Sequence, residues 1–192
     1  MRTWWLVAVL ALCACSGGNK APADGAAGVG GGGAAGGAGT DAGDCSATGT
    51  ITLSGAFTGT RSDAPAPGAS WSNGNDTGVV QDSIQFGTPF LAGWSFIFPG
   101  KPMLATYTEA TSGLSCTITV SDPATPTSTW IAVNGVSGTA SQGACSLTLT
   151  AITPSLVTSN QTQYCAHGTV AATLPANPGS TATGTVTFGA SF

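Results

Sequence analysis

Residues 45–192 predict an all-β fold: an antiparallel β-sandwich of about eight or nine strands, stapled by disulfides. Three observations carry that expectation. Apolar residues alternate with Thr and Ser along most of the segment. Turn-forming clusters separate the alternating runs. Four cysteines, Cys45, Cys116, Cys145 and Cys165, are spread across it.

The runs follow in order. Ile51, Leu53 and Phe57 alternate with Thr50, Thr52 and Ser54. Trp94, Phe96 and Phe98 alternate with Ser95 and Ile97, and Cys116, Ile118 and Val120 with Thr117 and Thr119. Leu147 and Leu149 alternate with Thr148 and Thr150. Val170, Ala172 and Leu174 repeat the pattern, as do Val186, Phe188 and Phe192. A period of two puts one apolar and one hydroxyl face on a strand, and β-branched residues suit a pleated surface. Asn73-Gly74-Asn75-Asp76, Pro99-Gly100, Asp122-Pro123, Asn134-Gly135 and Asn177-Pro178-Gly179 punctuate the runs. Residues 47–53 echo residues 182–188, which suggests that the first and last strands share surroundings and lie near each other. Trp94 and Trp130 read as core.

The N-terminus reads as a targeting segment. Arg2 precedes the apolar run Trp4–Leu12, about nine residues long and within the ~7–15 of a signal h-region. A transmembrane helix needs about 20 such residues. Leu12-Cys13-Ala14-Cys15 closes the run and resembles a lipobox, the processing site of bacterial lipoproteins. It departs from the usual pattern at Cys13, where Ala or Ser is commoner. The resemblance covers the first sixteen residues only. It implies a signal peptide over 1–14 and a lipidated Cys15 carrying diacylglycerol and an N-acyl chain (palmitate or similar). Ser16 is not Asp, which by the family's sorting rule implies the outer membrane of the bacterial cell envelope, with the lipid anchor as the membrane partner.

Residues 15–44 predict a tether. From Ser16 to Asp44 the chain is mostly Gly and Ala, with Gly30-Gly31-Gly32-Gly33 and a single larger aliphatic, Val29. Such a composition buries too little apolar surface to offset ordering entropy and predicts a disordered linker. Gly-rich scaling gives it a span of roughly 30 Å.

Within 45–192 only Arg61 and Lys101 are basic, against Asp63, Asp76, Asp82, Glu109 and Asp122. Neutralising a phosphate backbone takes Lys and Arg, so nucleic acid is not an expected partner. Four cysteines in an exported domain predict two disulfides; they allow three connectivities, among which sequence does not choose. The working assignment pairs Cys45 with Cys116 and Cys145 with Cys165, the second closing a loop over Ser155–Gln163.

Catalytic signals are sparse. His167 is the only imidazole in the chain, so a hydrolase would have to use it, yet no Ser stands in GxSxG. Asp82 and Glu109 fall on expected strands, and Asp76 and Asp122 in turns; no pair suggests glycoside hydrolysis. Cys165-Ala166-His167 lacks the paired ligands of a zinc site. Asn73, Asn75, Asp76 and Thr77 are oxygen-rich but too poor in carboxylate for calcium. No cofactor or metal is expected. The most specific binding candidate is Trp71 beside Asn73, Asn75 and Asp76, where an exposed indole and polar groups could hold a glycan. The expectation is therefore a non-enzymatic surface lipoprotein, structural, adhesive or ligand-binding, with a glycan or an envelope protein as partner. A carbohydrate-binding module at Trp71 is the alternative, and a hydrolase using His167 the less favoured one.

Overall fold

Alternation gives most of the strands an apolar face, and the chain buries those faces by pairing eleven strands antiparallel in one hydrogen-bonded network. The computed structural model describes Cys45 and residues 48–65, 68–72, 76–85 and 90–192, with backbone alone at 63–65 and 81–85. They belong to one compact unit, Gly39–Phe192. The expected signal peptide, lipidated Cys15 and tether, and the candidate residues Asn73 and Asn75, lie outside the described residues.

The strands are β1 (Thr48–Gly55), β2 (Gly59–Pro65), β3 (Gly68–Ser72), β4 (Thr77–Gln85), β5 (Leu91–Pro99) and β6 (Thr106–Thr108). They continue with β7 (Ser115–Asp122), β8 (Thr125–Asn134), β9 (Ala144–Val157), β10 (Gln161–Pro175) and β11 (Thr185–Ser191). The count exceeds the expected eight or nine. Strands such as β3 and β6 span 5 and 3 residues, too few to show a repeat of two.

The long β9–β10 hairpin organises everything else. Residues Thr169–Pro175 of β10 pair with β11, which pairs with β1, and β1 with β2. Residues Gln161–Tyr164 of β10 pair instead with β3, followed by β4, β5, β7 and β8. The handover falls at Gly168, whose N–H and carbonyl exchange hydrogen bonds with Phe192 at 2.8 and 3.0 Å. One hairpin thus supplies strands to two layers, and the core lies between them.

Contacts between strands that share no ladder cross that core. Phe98 of β5 stacks on Tyr107 of β6 at 4.5 Å, and Trp94 of β5 packs against Phe192 at 5.4 Å. Phe90, Phe96, Ile118, Leu147, Leu174 and Phe188 are buried among them. Trp94 and Trp130 are core, and β1 lies beside β11, both as the sequence implies.

The disulfides need a correction. Cys45 is bonded to Cys165, and Cys116 to Cys145. The register shows why the working assignment fails. Cys145 lies opposite Ala172, about seven residues or roughly 23 Å along β10 from Cys165. A disulfide needs Cα atoms within about 7 Å. The two also face opposite ways. Cys145 joins Leu147 and Leu149 in the core, whereas Cys165 shares its face of β10 with exposed Gln163 and His167. Nor is Ser155–Gln163 a loop. It is the end of the hairpin, turned at Ser159-Asn160, with the Thr158 hydroxyl bonded to both the N–H and the carbonyl of Gln161 at 3.0 and 2.9 Å.

Candidate functional site

Trp71 sits on β3 between Thr162 of β10 and Gly78 of β4. Residues directly opposite in antiparallel strands share a face. This row continues to Phe98, which is 1% exposed, so Trp71 points to the core side. It is half-buried and packs against the core cluster. The exposed platform expected from the sequence is thus a partly covered ring. The cause is position: in this row β3 has buried Thr162 of β10 on one side and, across Gly78 of β4, buried Phe98 of β5 on the other.

The indole has a fixed partner. Trp71 Nε1 donates to Asp76 Oδ1 at 3.0 Å across the end of the β3–β4 hairpin. Asp76 is exposed and takes φ 47°, a left-handed conformation that Asp tolerates better than most residues. Its carbonyl accepts from the Gly100 N–H at 2.5 Å, so the turn after β5 braces the hairpin. Pro99-Gly100 is legible as a turn from its residues, but its place beside Asp76 depends on β4 pairing with β5. The chemistry on offer is an indole half-open to solvent beside a carboxylate that still has acceptor capacity. A sugar hydroxyl could donate to that carboxylate while a ring face lies on the indole.

His167 is exposed on β10, opposite Ala151. The nearby Thr150 hydroxyl donates to the His167 backbone carbonyl at 3.2 Å. Cys165, its neighbour in the weighed zinc motif, is consumed by a disulfide. Among the described residues no three of His, Cys, Asp and Glu stand together as a metal site. Glu109 is not on a strand; it lies exposed in the turn just after β6. Asp122 caps its own turn, accepting from the Ala124 N–H at 2.8 Å. Asp82 is on β4, opposite Trp94. The structure therefore brings Trp71 and Asp76 together and leaves His167, Glu109 and Asp122 on separate elements.

The fold and its bridges define a disulfide-stapled, all-β antiparallel domain. None of the protein families, curated proteins and solved structures compared with this chain matches it.

Proposed function

We propose that this chain is an exported bacterial lipoprotein. Cys15 anchors it to the outer membrane, and the β domain stands off on the Gly/Ala segment as a non-enzymatic structural, adhesive or ligand-binding component. The observation that carries the reading is that all four domain cysteines are paired. Disulfides persist in oxidising compartments outside the cytosol, the destination that the Leu12-Cys13-Ala14-Cys15 motif implies. The test is an intact mass of protein extracted from native membranes without reductant. The expected mass is Cys15–Phe192 plus acyl chains, with the four domain thiols oxidised. An unacylated N-terminus or free thiols would overturn it.

The second reading is glycan binding at the end of the β3–β4 hairpin, favoured by the Trp71–Asp76 hydrogen bond. Affinity electrophoresis through soluble envelope polysaccharides tests it. Trp71→Ala and Asp76→Ala should each lose the retardation shown by the native chain. Equal retardation of all three, or none in the native chain, ends this reading. Trp71→Ala also removes part of the core packing, so Asp76→Ala is the cleaner comparison.

A further inference from the structure

The structure assigns the Cys45–Cys165 bridge a mechanical role: it is the joint that carries load from the N-terminal anchor into the fold. The inference rests on the anchored reading above.

Cys45 is the first described residue, just before β1. Without the bridge, a pull arriving from the N-terminal side would reach Thr48 first. β1 is one strand from the end of the network, its outer neighbour being the terminal strand β2. Ladders near a sheet end resist peeling poorly, since few strands back them. With the bridge, the pull passes through sulfur to Cys165. That residue sits in β10, which pairs with β9, β3 and β11. Moving β10 disturbs ladders on both of its sides.

The covalent consequence is stronger. The bridge spans 120 residues, and β1 through β9 all lie inside that loop. Force applied between the leading segment and the C-terminus runs along Cys45, Cys165 and the chain to Phe192. It cannot extend anything within the loop. The second bridge, of separation 29, is wholly enclosed. A domain held this way can be tugged at its anchor without the chain between Cys45 and Cys165 being drawn out.

Single-molecule pulling on the full chain tests this, with one handle before Cys45 and one after Phe192. In the oxidised chain only Cys165–Phe192, about 27 residues, is free to extend, releasing roughly 95 Å at ~3.5 Å per residue. The Cys45→Ala/Cys165→Ala variant keeps the inner bridge and should release about 118 residues, roughly 400 Å. Dithiothreitol supplies a second comparison on the native chain, in case the variant does not fold. Each S–S bond is cleaved to two thiols as the dithiol closes to its cyclic disulfide, and the release should grow about fivefold. A release of roughly 400 Å or more from the oxidised native chain overturns the assignment. An unacylated Cys15 would remove the anchor that applies the load while leaving this load path measurable, so the two failures are told apart.

Discussion

At the residue scale, two backbone positions show how closely the strands approach. Gly168 lies at a register shift of the β9–β10 hairpin, where Thr150 is the extra residue on β9. A Cβ at Gly168 would run into the Thr148 carbonyl oxygen. Gly143, just before β9, has φ 71°, and its Cβ would meet the Thr173 carbonyl. Gly168→Ala has no flexible neighbour to displace, only backbone. It should cost about 2–4 kcal/mol and lower the melting temperature by several degrees, at about 2–4 °C per kcal/mol for a domain of this size. Calorimetry on native and variant chains checks this; an unchanged melting temperature would mean the hairpin relaxes more freely than its packing indicates. Thr60→Ala, exposed on β2, is the control and should fall within about 0.5 kcal/mol of native.

At the element scale, the network must manage its ends, since an open strand edge is a template for other chains. β8 is covered by the segment after β10. Asn177 and Thr181 donate backbone N–H groups to the carbonyls of Thr129 and Thr127 at 2.9 and 3.1 Å, and the Ser180 hydroxyl adds a bond to Thr129 at 3.1 Å. β9 is handled differently. β6 pairs with it over Ser146–Thr148, and Leu149 donates to Ala105 at 2.9 Å. Beyond that point no described strand lies on its outer side. There β9 carries two extra residues, Thr150 and Ser155, at the register shifts, and Pro154, which has no N–H to offer. Bulges and proline are the usual means of blunting an edge. Leu156 and Val157, 51% and 65% exposed, make such blunting necessary. Pro154→Val restores a donor and a β-branched side chain, so it should raise self-association at high concentration while leaving the monomer's circular dichroism unchanged. Light scattering reads the outcome. A variant that stays monodisperse would show that the bulges suffice alone.

At the scale of the whole molecule, Cys116–Cys145 joins β7 to β9, which share no ladder, and so ties one layer to the other through the core. Chain-entropy arguments give a loop of separation 29 about 3.5 kcal/mol of stabilisation. The Cys116→Ala/Cys145→Ala variant should lose about that amount in urea unfolding, with the Cys45–Cys165 bridge retained on a non-reducing gel. A loss below about 1 kcal/mol would mean that the packing of Phe98 on Tyr107 and Trp94 on Phe192 holds the layers together unaided. The two bridges thus divide their work: one ties β7 to β9 inside the core, the other ties Cys45, ahead of β1, to β10.

The sequence by itself determined the fold class, because Thr–apolar alternation is a local property: the two faces of the longer strands are written in neighbouring residues. Ile51, Leu53, Phe96, Ile118, Leu147, Val170 and Phe188 were legible as core for that reason, and Trp94 and Trp130 with them. The sequence also named Trp71 and Asp76 as one candidate site, since they are five positions apart across a turn. Tertiary structure alone decided what depends on distant segments meeting. The β9–β10 register, which sets Cys145 and Cys165 far apart on opposite faces, ruled out their pairing. The half-burial of Trp71 followed from β3 inserting between β10 and β4. Strands β3 and β6 were invisible because a few residues cannot display a period; they become strands only when longer neighbours offer them a ladder.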